Sequence, residues 1–203
     1  MRFLCLHGLG TNNKFVEGVV KADINDSIKG FFPATEDYFQ YFEEHDAASC
    51  LKALNDLDAY IEVEGPFDGV VAFSQGASAA TSLMLHRLQQ DRLRELMDPV
   101  FKCGIFLGAA VPCDPAALAN GMVRGMTYEM DGKVIGVPTT HIWGEKDTSP
   151  YPPRLSSLCA HETRNVYIHR GGHEVPGSHM DEALTESVRV IKRAISMAQH
   201  KQA

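Results

Sequence analysis

Short apolar runs alternate along the chain with longer stretches in which apolar residues recur at helical spacing. Five runs are mainly apolar and end at or near a glycine, which is typical of buried strands. The predicted strands are residues 2–7, 68–73, 103–107, 139–143 and 165–169. Apolar positions three or four residues apart predict amphipathic helices over residues 46–63, 77–88 and 180–198.

This alternation predicts the fold class. Strands that are apolar on both faces and alternate with helices indicate an α/β fold, with a mostly parallel central sheet and helices on both faces. The 203 residues contain no linker or internal repeat, so we predict one domain over residues 1–203. Residues 112–138 are rich in Pro, Gly and Met without a clear period, and we expect them to form a cap or pocket wall.

Ser74 stands between the strand at 68–73 and a helix that begins with small residues. A serine at the tip of such a strand–turn–helix is held above the sheet edge, where its hydroxyl can attack a carbonyl. The usual pattern is Gly-x-Ser-x-Gly, and here Ala72 replaces the first glycine while Gly76 keeps the second. We therefore predict that Ser74 is a nucleophile.

A serine hydroxyl needs a base that takes its proton, and histidine is the usual one. Among the nine histidines, His173 follows Gly171 and Gly172 just beyond the last predicted strand. A loop at this point can place an imidazole over the sheet edge. His141 and His169 lie inside predicted strands, so we interpret them as core residues.

The acid that orients the base is predicted to be Asp147, which follows the strand at 139–143. Glu145 is the second choice, and Asp114, after the preceding strand, is the third. The order Ser74, Asp147, His173 is the chain order of the α/β-hydrolase fold.

The oxyanion of a tetrahedral intermediate needs two hydrogen-bond donors. We predict the backbone N–H of Gln75, directly after the nucleophile, and the N–H of Leu9 in the glycine-rich loop after the first strand. Gly10 is the alternative in that loop. His7 is expected to brace the loop by hydrogen bonding.

Composition and charge indicate which partners and which compartment to expect. A net charge of −7 with scattered Lys and Arg disfavours nucleic-acid binding. Five widely spaced cysteines without a CxxC pair favour a reducing compartment. We see no secretory signal or membrane span, so we expect a cytoplasmic protein without membrane association. The predicted chemistry needs no metal or other cofactor.

Several motifs together resemble the small fungal serine hydrolases of the FSH type, within the α/β-hydrolases. They are residues 3–8 with Asn12, residues 65–70, residues 73–77, residues 143–147 and residues 171–176. The resemblance covers nearly the whole chain and implies Ser74, Asp147 and His173 as catalytic residues. The family includes esterases, and also thioesterases that release the finished chain from the carrier domain of a fungal polyketide synthase.

The chain departs from the family pattern after Asn13. The family usually has a helix and then a strand before the helix that precedes the nucleophile, and here only Phe15–Gly18 matches the end of that strand. A crossover helix needs a dozen or more residues. We therefore predict that a helix is deleted, or missing from the sequence, near residues 13–15.

The expected reaction is hydrolysis through an acyl-enzyme, with a carrier-bound polyketide thioester as the main candidate substrate. The alternatives are a carboxylesterase for small free esters and a non-catalytic ligand-binding protein of the same fold. We expect the substrate pocket to include Gly10, Phe39 from an aromatic-rich stretch, and Met122 and Met126 from the irregular segment. Oligomeric state is left open.

Overall fold

Five parallel strands form the central sheet in a computed structural model that describes residues 1–11, 18–24 and 36–200. In sheet order, the strands are β1 (Phe3–Leu6), β4 (Gly69–Phe73), β5 (Cys103–Leu107), β6 (Thr139–Gly144) and β7 (Arg164–His169). The predicted α/β class with a parallel sheet is confirmed. Two further strands, β2 (Val20–Ala22) and β3 (Tyr38–Gln40), form a separate antiparallel pair.

Seven α-helices occur in the described part of the chain. They are α1 (Ala47–Glu64), α2 (Gln75–Gln90), α3 (Arg92–Met97), α4 (Pro115–Ala119), α5 (Tyr128–Asp131), α6 (Tyr151–Leu158) and α7 (Asp181–His200). A short 3₁₀ helix, His161–Thr163, leads into β7. None of the described helices has the length and apolar character needed to cross a membrane.

Helices cover both faces of the sheet, as the burial of β5 shows. Ile105 and Phe106 point to opposite faces because side chains alternate along a strand, and both are buried. On one face, the Thr140 hydroxyl donates to the Val190 carbonyl of α7 at 2.9 Å. On the other, Phe106 joins the apolar cluster formed with α1 and α2. Burial on both sides explains the continuous apolar runs in the sequence.

The parallel arrangement brings the loops that follow all five strands to one edge of the sheet. Ala72 pairs with Phe106, Leu107 with Ile142, and Gly144 with His169. Because all the strands run in the same direction, the chain leaves them at the same edge. This edge is where ligands bind in open α/β sheets.

The irregular segment 112–138 contains α4 and α5 and is held by one arginine. Arg124 pairs with Asp114 at 2.8 Å and with Asp131 at 2.7 Å. Asp114 also accepts a hydrogen bond from the Ala116 N–H and so caps α4. Arg124 therefore links the two short helices through ion pairs. The sequence of this segment shows no clear helical period. The predicted deletion near residues 13–15 lies outside the described residues.

Candidate active site

Ser74 occupies a sharp bend between β4 and α2. Its φ of 51° makes it the one described non-glycine residue in the left-handed region, and such a conformation costs on the order of 1–3 kcal/mol. Backbone hydrogen bonds hold the bend, since the Ser74 N–H donates to Leu107 and its carbonyl accepts from Ala77 and Ala110. The Ser74 hydroxyl does not cap the helix, so it is available to another partner.

That partner is His173. The Ser74 Oγ lies 3.1 Å from His173 Nε2, and His173 Nδ1 lies 2.7 Å from an Asp147 carboxylate oxygen. An ionised carboxylate only accepts hydrogen bonds, so Nδ1 carries the hydrogen and Nε2 can accept the serine proton. The structure thus brings together three side chains that lie far apart in the sequence.

Burial differs along this chain of hydrogen bonds. The Asp147 side chain is 2% exposed, whereas that of His173 is 30% exposed. The second carboxylate oxygen of Asp147 accepts from the Ser149 N–H at 2.9 Å, which fixes the carboxylate. The sequence signal for this contact is an Asx turn, since Asp often accepts from the backbone two residues later. The centroid of the His173 ring also lies 5.0 Å from the centroid of the Phe73 ring.

The loops that carry Asp147 and His173 are joined by backbone hydrogen bonds. The Glu145 N–H donates to the His169 carbonyl oxygen, and the Lys146 N–H donates to the Gly171 carbonyl oxygen. Gly144 lets the loops approach this closely, because a Cβ at Gly144 would lie 2.1 Å from the Gly171 carbonyl oxygen. The geometry between Asp147 and His173 therefore depends on a glycine at the end of β6.

The Gly144→Ala variant is expected to separate these loops. We expect the free energy of unfolding to fall by about 1–3 kcal/mol and kcat/KM for ester hydrolysis to fall on the order of 10²-fold, because misplaced catalytic groups lose rate. Chemical denaturation and steady-state kinetics measure the two effects. Gly136→Ala is the matched control, since a Cβ there meets nothing within 4 Å. Wild-type activity in Gly144→Ala would contradict the role assigned to the glycine.

The two alternative acids lie elsewhere. Glu145 is exposed on the loop surface. Asp114 caps α4 and pairs with Arg124. Asp147 is thus the carboxylate that contacts His173, in agreement with the first choice from the sequence.

Leu9 and Gln75, the predicted oxyanion donors, both line the cavity in front of Ser74. Gln75 is the first residue of α2, where backbone N–H groups have no partner within the helix. The loop after β1 packs directly on this helix, and the absence of a side chain at Gly76 permits it. A Cβ at Gly76 would lie 2.4 Å from the His7 carbonyl oxygen. The glycine after Gln75 therefore lets the two predicted donors approach each other.

His7 holds this loop through both ring nitrogens. Its Nε2 accepts from the Gly18 N–H at 2.9 Å, so Nδ1 carries the hydrogen and lies 2.9 Å from the Thr11 hydroxyl. The ring also packs on Tyr41, with 4.7 Å between centroids. These contacts fit the expected bracing role of His7.

The Gln75 side chain makes a contact that the sequence did not predict. Its amide oxygen accepts from the Tyr41 N–H and its amide nitrogen donates to the Phe42 carbonyl, both at 2.9 Å. Gln75 is buried, so these two hydrogen bonds satisfy two backbone groups and fix the segment after β3 against the turn at Ser74. No local sequence signal identifies a contact across more than 30 residues.

The cavity in front of Ser74 has a volume of about 560 Å³. Its apolar wall is formed by Leu9, Phe42, Ala110, Val111, Val123 and Pro150. Polar and charged side chains at the cavity include Glu44, His45, Thr148 and Tyr151. Among the described residues that line it, none is lysine or arginine.

The four residues predicted to form the substrate pocket are not among the residues that line this cavity. Met126 is buried in the core and Met122 is 60% exposed, so neighbouring Val123 and Gly125 line the cavity instead. Gly10 and Phe39 pair with each other through the backbone, the Gly10 N–H donating to the Phe39 carbonyl at 3.0 Å. Composition identified the right segments but not which side chains face inward.

A comparison with protein families identifies residues 14–184 as a match to the family described as serine hydrolase (FSH1). The chain belongs to the FSH1 serine hydrolase family. It is therefore a serine hydrolase, in agreement with the resemblance seen in its motifs. The family expectation of an α/β-hydrolase fold also agrees with the sheet described above.

Two relatives of this hydrolase are named as an esterase and a hydrolase. It is 33% identical to Esterase FPY3 of Fusarium mangiferae, with 98% of each chain covered. It is 24% identical to Hydrolase phiM of Fungal sp. (strain ATCC 74256), with 86% of each chain covered. Among solved structures, a carboxylesterase from Mesorhizobium loti matches with a TM-score of 0.58 at 18% identity, covering 94% of this chain and 88% of the other. This last similarity supports the fold.

Proposed function

We propose that this serine hydrolase acts through an acyl-enzyme, with Ser74 as nucleophile, His173 as base and Asp147 as the acid that orients the base. The chain of hydrogen bonds from Asp147 through His173 to Ser74, at 2.7 and 3.1 Å, is the observation that carries the proposal. As Ser74 attacks the substrate carbonyl, its proton moves to His173 Nε2. The buried Asp147 carboxylate stabilises the imidazolium that forms.

The oxyanion of the tetrahedral intermediate is proposed to accept from the N–H groups of Gln75 and Leu9. His173 then gives its proton to the leaving group, which departs and leaves the acyl group on Ser74. Water enters, His173 takes a proton from it, and a second tetrahedral intermediate collapses to release the acid. These residues supply a nucleophile, a proton carrier and oxyanion donors, which together perform acyl transfer to water.

For the substrate, we propose a thioester of a polyketide acyl chain presented by the carrier domain of a synthase. The cavity volume of about 560 Å³ is within the range of sites that enclose drug-sized ligands. Its wall is largely apolar and, among the described lining residues, has no lysine or arginine to pair with an anionic group. These features favour a neutral, mainly apolar acyl group. A thiol, with a pKa of about 8.5, also leaves with little protonation.

A carboxylesterase for small free esters is the second candidate. The esterase name of the Fusarium mangiferae relative favours it, and the same triad performs the same reaction on an oxygen ester. The two candidate functions differ in the leaving group of the substrate, a thiol or an alcohol. They also differ in the length of acyl chain expected to give the highest kcat/KM.

A matched substrate series separates the two candidates. The same acyl group is offered as a pantetheine thioester and as an ethyl ester, and kcat/KM is measured for several chain lengths. We expect the thioester to react faster and longer neutral chains to give higher kcat/KM. Preference for short oxygen esters would favour the carboxylesterase.

Charge on the acyl chain gives a further prediction for this cavity. A terminal carboxylate on the acyl group is expected to lower kcat/KM by about 10- to 100-fold relative to a terminal methyl group, because a buried charge without a partner costs on the order of 1–3 kcal/mol. The measurement compares the two thioesters at equal chain length and at high salt, which screens the surface charges of the protein. Equal rates would contradict the proposed neutral acyl group.

A further inference from the structure

Tyr41 contacts both of the segments that carry the predicted oxyanion donors. Its phenol oxygen accepts from the His7 N–H at 3.1 Å, and His7 is two residues before Leu9 in the loop after β1. Its backbone N–H donates to the side-chain oxygen of Gln75 at 2.9 Å. One residue directly after β3 therefore joins a loop and the start of a helix that are more than 60 residues apart in the sequence.

The side chain of Tyr41 lies behind the site and not in the cavity. Tyr41 is 6% exposed and is not among the residues that line the cavity in front of Ser74. Its ring packs on the imidazole of His7, which is also buried. A buried donor that loses its partner is costly, so the hydrogen bond between the His7 N–H and the phenol oxygen is maintained. Any contribution of Tyr41 to the reaction must therefore pass through the residues that it contacts.

The loop after β1 needs this support because its backbone is permissive at the predicted donor. Gly10 follows Leu9 directly and has a φ of 67°, and glycine leaves a chain with more conformational freedom than other residues do. The Gly10 N–H donates to the Phe39 carbonyl, and the Phe39 N–H donates to the Thr11 carbonyl, both at 3.0 Å. The segment from Phe39 to Tyr41 thus holds this loop on both sides of Leu9.

The relative position of the two donors decides how well they stabilise an oxyanion. Donors act on the transition state when they are already fixed about 3 Å from the place of the developing charge, and losing one costs on the order of 10²- to 10³-fold in kcat. The N–H groups of Leu9 and Gln75 belong to different segments. The absence of a side chain at Gly76 lets these segments approach each other, but it does not fix their orientation.

We propose that Tyr41 is a positioning residue of the oxyanion hole. It fixes the Leu9 N–H relative to the Gln75 N–H, through its phenol oxygen on one side and its backbone N–H on the other. This inference rests on the proposed function, in which these two N–H groups are the oxyanion donors. The reaction takes no proton from the Tyr41 hydroxyl.

The Tyr41→Phe variant tests the phenol oxygen alone, because the ring and the backbone N–H to Gln75 are kept. We expect kcat for thioester hydrolysis to fall about tenfold, a part of what a whole oxyanion donor supplies, with KM within about twofold of wild type. Tyr60→Phe is the matched control, since Tyr60 stacks on Phe67 and does not line the cavity. Its kinetics should be those of wild type. A folded Tyr41→Phe protein with wild-type kcat would overturn the proposal.

Two ketones with the same acyl chain separate positioning from a purely structural role. A trifluoromethyl ketone adds to Ser74 and places an oxyanion in the hole, whereas the methyl ketone occupies the cavity as a neutral carbonyl. In Tyr41→Phe, the inhibition constant of the trifluoromethyl ketone should rise about tenfold, and the dissociation constant of the methyl ketone should change by less than about twofold. Equal losses for both ketones, or none for either, would contradict a role in positioning the donors.

The Gln75→Leu variant tests the same connection from its other end, because it removes the side-chain amide and keeps the backbone N–H. It should show the same selective loss for the trifluoromethyl ketone. The double variant should lose less than the product of the two single losses, since both changes act on one connection. Losses that multiply would overturn the connection through Tyr41. If the wild-type protein formed no adduct between the trifluoromethyl ketone and Ser74, the proposed function itself would fail, whereas an adduct of equal affinity in wild type and Tyr41→Phe refutes the role of Tyr41 alone.

Discussion

Replacing Ser74 with alanine is expected to lower kcat/KM for ester or thioester hydrolysis by about 10⁴-fold or more, because the acyl group then has no oxygen to attach to. The oxyanion donors and the cavity remain in this variant, so some acceleration over water is retained. Among the described residues, the hydrogen bond that the Ser74 hydroxyl makes is the one with His173. The loss should therefore appear in kcat and not in substrate binding. Steady-state kinetics with a thioester and direct binding of the same ligand measure the two separately.

The Ser74→Ala comparison needs a serine variant away from the cavity. Ser157 lies on α6 and its hydroxyl donates to the Arg154 carbonyl, so Ser157→Ala should keep wild-type kinetics. Thermal unfolding and circular dichroism show whether both variants fold. A folded Ser74→Ala protein with wild-type turnover would remove Ser74 from the reaction.

Replacing Asp147 with asparagine is expected to cost about 10³- to 10⁴-fold in kcat. The asparagine amide can donate to His173 Nδ1, which would favour the tautomer with hydrogen on Nε2. In that tautomer the imidazole cannot accept the Ser74 proton. The loss of negative charge also removes the stabilisation of the imidazolium. We expect the ground-state affinity for substrate to change little, since Asp147 lies behind His173 as seen from Ser74.

Glu145→Gln is the matched control for the acid. Glu145 is exposed and lies two residues from Asp147 on the same loop. Its replacement by glutamine removes one negative charge, as the Asp147→Asn substitution does. Its variant should keep kcat within about threefold of wild type, because exposed charges contribute little. If Glu145→Gln caused the larger loss, the acid assigned to His173 would be wrong.

The sheet and the candidate triad could be predicted from the sequence because each depends on local patterns. Strands buried on both faces produce continuous apolar runs, and 103–107 was predicted with the bounds of β5. Ser74, Asp147 and His173 each follow a strand that ends at the same sheet edge. Parallel strands bring such positions together whatever the loops between them do.

The cavity could not be predicted in the same way because it depends on contacts between distant segments. Met126 turns into the core while Val123 faces the cavity, and both belong to one irregular segment without a period. Strand β2 was missed because three residues are too few to show a repeat. The sequence thus predicts residues whose place depends on a single strand. It does not predict which side chains face the cavity, because that depends on packing between several segments.

Labelling with a fluorophosphonate followed by peptide mass spectrometry tests the central claim most directly, because this reagent reacts with a serine that a neighbouring base has activated. We predict one stoichiometric adduct on Ser74, loss of hydrolysis in step with labelling, and strongly reduced labelling in a His173→Ala variant that remains folded. Hydrolysis that persists in fully labelled protein, or a folded wild-type protein that takes up no label on Ser74, would contradict the account.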